Sequence, residues 1–273
     1  MNTNLMETAK DHMIVVAHSG ISGGNIPGNT MTSFEIALMQ GVDMIEMDVS
    51  MSADGVLIIF HPGMEEFRLG MKINLSEMPY EEIRKLRYQN SPFGIPTFDE
   101  VLERLKGRCF INVDKFWDHP KEIYQAVKRH GMLDQIVVKT APSEDVFRFL
   151  EEVAPDMAYL PIVKNTYRYH EELMRRSINY VGAEFVFDHE DAEVAGEAMK
   201  ERMHQDDKLI WVNAIVFNER HQLAAGHSDN TALSESLDKG WGWLADQGFD
   251  MIQTDWAGMM IDYLKRSNKY YHS

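Results

Sequence analysis

The chain repeats one event from end to end: a short apolar run followed by a longer stretch with helical spacing. Apolar runs suited to buried strands lie at residues 13–18, 44–48, 108–114, 135–139, 158–163, 180–185, 209–214 and 251–254. Helical patterns fall between most of them, at 32–40, 97–105, 120–130, 143–152, 169–176, 192–203 and 234–247. Thr32 and Thr97 are placed to cap the first turns of two of these helices. Strands alternating with helices imply a parallel sheet. Eight such units in 273 residues predict a closed (β/α)8 barrel as one domain spanning the chain.

One stretch, residues 49–100, is too long for a plain crossover. It carries Asp54-Gly55, a strong signal for a two-residue hairpin turn. Such a turn pairs Ala53 with Val56 and sets Asp48 directly across from His61. The remainder, residues 63–94, reads as an insertion folded over one end of the barrel.

Composition narrows the partners. The formal net charge is −16, a field that repels nucleic acid and anionic membrane surfaces. No apolar run is long enough to span a membrane, and the first residues lack the apolar core of a leader, so a cytoplasmic chain is expected. The single cysteine, Cys109, excludes an internal disulfide and sits in an apolar run, as a buried small residue does.

Functional groups of such barrels collect at the C-terminal ends of the strands. Strand one ends in His18, strand two in Glu46-Met47-Asp48, strand three in Asp114. Residues i and i+2 of a strand share a face, so Glu46 and Asp48 point the same way. The hairpin returns His61 to the same rim. Three carboxylates packed together repel one another and stay ionised only around a cation. All-oxygen ligation selects Mg²⁺ or Ca²⁺, with Mn²⁺ possible, over zinc.

The ordered set His18-Ser19-Gly20, Pro27-Gly28-Asn29-Thr30, Glu46-Met47-Asp48-Val49, Asp54-Gly55 and His61-Pro62 resembles the glycerophosphodiester phosphodiesterase signature, H-R-G, P-E-N-T, E-x-D-V, D-G and H-D. Asn112-Val113-Asp114, Trp211-Val212-Asn213 and Thr254-Asp255 are similar to its later motifs. The resemblance implies one divalent cation on Glu46, Asp48 and Asp114, and acid–base work by His18 and His61. The implied reaction is hydrolysis of a small phosphodiester to a phosphomonoester and an alcohol.

Departures from the pattern bear on the substrate. Ser19 stands where the family has Arg, and Gly28 where it has Glu; joint loss suggests a compensated charge pair. Asp114 replaces a Glu, and Phe116 stands where the family has Lys. Lys115 is adjacent but by strand alternation points the other way, so the positive charge is sought in Lys139 or Lys164, with Lys115 kept as a substrate-binding candidate. Glu184, Asn213 and Trp256 are further substrate-binding candidates by position at strand ends. Two alternatives remain: a related lyase that stops at a cyclic phosphate, and a barrel that binds a diester without turnover.

Overall fold

The structure, a computed structural model, describes residues 4–216 and 223–272. Eight parallel strands close into a barrel: β1 (Ile14–Ala17), β2 (Met44–Met51), β4 (Phe110–Asp114), β5 (Ile136–Thr140), β6 (Ala158–Lys164), β7 (Gly182–Val186), β8 (Leu209–Asn213) and β9 (Met251–Thr254). Closure is made by β1, which pairs with both β2 and β9. A ninth strand, β3 (Leu57–Ile59), lies antiparallel on the extension of β2 outside the barrel wall. All eight barrel strands fall inside or against the runs read from sequence. Apolar periodicity is a strong signal for strands buried on both faces.

The α-helices are α1 (Leu5–Asp11), α2 (Met31–Met39), α3 (Glu65–Leu69), α4 (Tyr80–Ile83), α5 (Phe98–Leu105), α6 (Pro120–His130), α7 (Glu144–Glu152), α8 (His170–Leu173), α9 (Glu197–Gln205), α10 (Asp229–Ser234), α11 (Trp243–Asp246) and α12 (Ala257–Arg266) among the described residues. The expected helix at 97–105 opens on Thr97, whose side chain caps Glu100 in a reciprocal capping box. The other expected cap is corrected: Thr30, not Thr32, opens α2, in a box with Ser33. The helix expected over 234–247 is displaced. The chain turns at α10, capped by Ser228, then passes through a π-turn at Asp238–Gly242 into α11. The helix expected over 192–203 begins only at Glu197, after Gly196 ends a short 3₁₀ turn.

The inside of the barrel is divided. Its floor is apolar, with Ile14, Val16, Met44, Phe110, Leu160 and Met251 packed together, and Leu5 and Ala9 of α1 close it from below. Gly182 allows β7 to approach β8: a Cβ there would meet Leu209 O at 2.2 Å. Towards the C-terminal ends the same inward faces turn polar, with Glu46, Asp48, Asn112, Lys139, Glu184, Asn213 and Gln253 all buried. The outer core fills the space between strands and helices.

The insertion has its own small core of Ile58, Phe60, Leu69, Leu75, Ile83, Tyr88 and Ile95. Its hairpin departs from the expected register by one residue. Ladder pairs are Val49 with Ile59 and Met51 with Leu57, and Phe60 N donates to Asp48 O at 3.0 Å. The loop has three residues, with Gly55 left-handed at φ 83°, so the last loop residue forms a bulge in place of a two-residue turn. Phe60, not His61, therefore lies across from Asp48.

Candidate active site

Parallel register between β2 and β4 sets Asp48 beside Asp114, with Glu46 beside Asn112 one layer below. Glu46, Asp48 and Asp114 each offer a carboxylate oxygen, and these atoms lie within 4.8 Å of one another. Local backbone holds them there. Ser19, left-handed at φ 54°, aims its N–H at Glu46 Oε2, 2.7 Å away. Asn29, left-handed at φ 58°, donates its amide to Asp48 Oδ2 at 2.8 Å and accepts the Asp48 N–H at 3.2 Å. Lys115 is left-handed too, at φ 58°, and this conformation swings Nζ back to 3.5 Å from Asp114 Oδ2. Strand alternation had pointed Lys115 away from the carboxylates; the turn at its own Cα reverses that. Three non-glycine residues in this sparsely populated region, each costing on the order of 1–3 kcal/mol, ring one centre.

The two histidines flank it. His18 Nδ1 lies 2.8 Å from Asp255 Oδ1. His61 Nε2 is 4.0 Å from Asp48 Oδ1, and its Nδ1 is 2.9 Å from Pro62 O. The one-residue register shift thus leaves His61 at the rim beside Asp48.

Burial pushes the Glu46 carboxyl up to about 8, reinforced by the charge of Asp48. Burial likewise raises Asp48, against the pull of His61. Burial acts on Asp114 in the same sense, but the charges of Lys139 and Lys115 outweigh it and hold Asp114 below the usual range. Burial draws His18 downward, and the Asp255 hydrogen bond with the Glu46 charge overcomes it, leaving His18 at about 9. Crowded, buried carboxylates of this kind lack enough positive charge of their own. An oxygen donor set this close suits a hard divalent cation, which would supply it.

The expected substrate-binding residues divide into two groups. Lys139, Glu184 and Asn213 form a closed network inside the barrel. Lys139 Nζ lies 2.6 Å from Glu184 Oε2 and 3.8 Å from the Trp211 ring centre, and Asn213 Nδ2 donates to Glu184 Oε1 at 2.7 Å. Lys164 stands at the rim, 3.2 Å from Asp188 Oδ2, and Trp256 is half-exposed beside Asp255.

Two residues of the site had been quoted from sequence without a role. Asn29 is the clamp on Asp48, and Asp255 is the partner of His18. Asp229 had drawn no notice: its buried carboxylate accepts from Thr254 Oγ1 at 2.6 Å, Trp241 Nε1 at 2.7 Å and Asp255 N at 2.9 Å. An acid in an expected loop gave no pattern to find it by. Ser19 and Gly28 adjoin as well: a Cβ on Gly28 would lie 2.9 Å from Ser19 Cβ, so their two side chains would have met.

Comparison with known proteins agrees with this geometry. The glycerophosphoryl diester phosphodiesterase family model matches residues 18–206, and a model described only as a domain of unknown function matches residues 159–264. The glycerophosphodiester phosphodiesterase of Bacillus altitudinis is 35% identical over 140 residues, covering 46% of this chain and 57% of that protein. That of Caldanaerobacter subterraneus is 27% identical over 141 residues, covering 46% of this chain and 57% of that protein. The chain thus matches little more than half the length of these relatives. Among solved structures, a glycerophosphoryl diester phosphodiesterase from Parabacteroides distasonis superposes with TM-score 0.78 at 16% identity, covering 97% of this chain and 93% of that one. A phosphodiesterase from Oleispira antarctica, in complex with the product sn-glycerol-3-phosphate, gives 0.67 at 19% identity, covering 92% and 96%. At those identities the structures establish the barrel, while the family match spans well over half of the sequence: the chain belongs to the glycerophosphoryl diester phosphodiesterase family.

Proposed function

We propose that this chain hydrolyses a small glycerophosphodiester-like phosphodiester to a phosphomonoester and an alcohol, using a divalent cation, Mg²⁺ or Ca²⁺, and two histidines. The observation that carries this reading is the convergence of Glu46, Asp48 and Asp114 within 4.8 Å, with His18 and His61 on either side. Family membership and the product held by the Oleispira phosphodiesterase support the substrate class.

In this reading Glu46, Asp48 and Asp114 hold the cation, which when bound supplies charge to neutralise the phosphodiester oxygens. Lys115 adds a second positive charge at the Asp114 side. Asp255 accepts from His18 Nδ1–H, which fixes the tautomer and leaves Nε2 as the acceptor. His18 Nε2 takes the proton of the attacking hydroxyl, the substrate's own neighbouring one, giving a cyclic phosphate that water then opens with the two histidines in reversed roles. His61, exposed at the rim, gives its proton to the departing alkoxide. Part of what raises His18 is the charge of Glu46 and Asp48. A cation held by Glu46, Asp48 and Asp114 would offset that charge, leaving the Asp255 hydrogen bond as what orients the His18 imidazole.

The test is turnover of glycerophosphocholine, glycerophosphoethanolamine and bis(p-nitrophenyl) phosphate by EDTA-stripped protein with Mg²⁺, Ca²⁺ or Mn²⁺ restored. Cleavage that depends on metal and disappears in His18→Ala and Asp48→Ala supports the reading. Cleavage surviving either substitution would overturn the assigned roles.

A further inference from the structure

Beside the carboxylate centre lies a cleft of about 410 Å³ that none of the residues above explains. One wall is residues 22–27, the loop joining Ser19 to Gly28, which stand where the family pattern has Arg and Glu. The other wall belongs to the insertion: Phe67, Arg68, Tyr88, Gln89 and Asn90. Arg68 is the sole cationic side chain of the lining. Among the described residues it has no carboxylate within ion-pair distance; its guanidinium rests 5.3 Å from the centre of the Phe67 ring. The nearby acid Glu66 is drawn instead to Lys72, 3.5 Å away.

The backbone that carries Arg68 is fixed. Arg68 N donates to Met64 O at 2.7 Å, and Arg68 O accepts Gln89 N at 2.9 Å. Gln89 Nε2 donates to Glu66 O and Phe67 O, both at 3.2 Å. The side-chain amides of Asn25 and Asn90, also in the lining, have no partner among the described residues and add donors to the same space.

The cleft adjoins the catalytic rim through one side chain. Tyr88 lines it, and its hydroxyl donates to Asn29 O at 3.4 Å, while Asn29 clamps Asp48 at 2.8 Å. Burial raises the Tyr88 hydroxyl, and it feels both the Arg68 and the Asp48 charge. The cations that act most strongly on Glu46, Asp48 and Asp114 are His18, His61, Lys115 and Lys139. Arg68 is thus set for a group further along the substrate than the scissile phosphate. An unpaired, half-buried guanidinium offers a rigid fork for a carboxylate or phosphate. In a chain of net charge −16, a substrate with a second anion needs such a local cation to be held at all.

We propose, on the phosphodiesterase reading above, that this cleft is an anion subsite: it receives a second acidic group, carboxylate or phosphate, carried by an alcohol portion of the diester, with Arg68 determining that specificity.

The test uses three diesters of glycerol 3-phosphate, with 3-hydroxypropanoate, with 3-hydroxypropyl phosphate and with neutral 1,3-propanediol. The protein should show a KM at least about tenfold lower for one of the acidic diesters than for the neutral one, as a charged hydrogen bond of about 1.5–3 kcal/mol gives. Which acidic diester is favoured identifies the group. In Arg68→Gln the ratio of acidic to neutral KM should return to about one, with Arg68→Lys intermediate and all three proteins melting alike. Absence of the preference in the wild type, or its survival in Arg68→Gln, overturns the proposal. Calorimetric binding of the same diesters to His18→Ala and to His18→Ala/Arg68→Gln reads the subsite without turnover. If no diester is hydrolysed but binding keeps the Arg68-dependent preference, the hydrolase reading fails and the subsite stands.

Discussion

Asp255 Oδ1 lies 2.8 Å from His18 Nδ1, so a carboxylate at the end of the last barrel strand orients an imidazole at the end of the first. The two strands are neighbours through barrel closure, and His18 N also donates to Thr254 O at 3.1 Å. In the phosphodiesterase reading proposed above, Asp255 positions His18. Asp255→Asn should lower kcat by on the order of 10²–10⁴-fold with a smaller effect on KM, because the amide stabilises the wrong tautomer. Metal binding followed by calorimetry should persist; its loss would mean the residue acts on the carboxylates instead.

Asn29 tests the carboxylate centre from the other side. It both donates to Asp48 Oδ2 and accepts the Asp48 backbone N–H. Asn29→Ala should weaken Mg²⁺ or Ca²⁺ affinity by roughly 10–100-fold, the usual cost of removing a group that orients a ligand. The readout is the rise in melting temperature on adding metal, which follows occupancy of the folded state. An undiminished metal-dependent rise in the variant would refute this.

Lys139 and Glu184 form a buried ion pair, with Nζ and Oε2 2.6 Å apart. Lys139→Met alone should cost about 3–5 kcal/mol in urea unfolding, because it leaves Glu184 charged and without its cation. Lys139→Met with Glu184→Gln should recover much of that loss, since Gln keeps an acceptor for Asn213. A double variant no more stable than the single one would show that the pair is not the dominant interaction.

Acid stability should depend on Glu35. The Arg108 guanidinium, bonded to it through two nitrogens at 2.8 and 2.9 Å, with Arg104 beside it, lowers its carboxyl to about 2 from 4.5. The folded state therefore binds fewer protons than the unfolded one between those values. The stabilisation is complete above about 4.5 and is lost as the pH falls towards about 2. The partner guanidiniums are largely exposed, so the contribution is about 1 kcal/mol. Glu35→Gln should flatten the stability profile over that window and leave the slope above it unchanged.

Cys109 is fully buried, and burial pushes its thiol up to about 12. It should be silent to thiol reagents in the native protein and react only on unfolding, since the thiolate is the reactive form. Rapid labelling of the folded chain would contradict its position.

Much of the fold was legible because barrel strands are buried on both faces and stand out as apolar runs. The acids at their ends were legible because alternation along a strand assigns each residue a face. Local turns were harder. Asp54-Gly55 marks a turn, but a two-residue and a three-residue loop share that dipeptide, and the bulge at Gly55 moved the pairing by one residue. The helix expected over 234–247 was displaced because a helical pattern does not reveal where a π-turn interrupts it.

What the sequence by itself determined is the order of strands and the presence of His18, Glu46, Asp48, His61 and Asp114 at one rim. Which of its other polar residues serve that rim was decided by tertiary structure. Asn29 reaches Asp48 and Lys115 turns back to Asp114 only because each is left-handed at a single residue. Asp255 meets His18, 237 positions earlier, only because the barrel closes. Lys139 and Glu184, expected from sequence as substrate contacts, also pair with each other across the interior, since a buried charge is stabilised by an opposite one. Periodicity assigns a side chain to a face; closure of the sheet and the sign of one φ angle decide what it meets there.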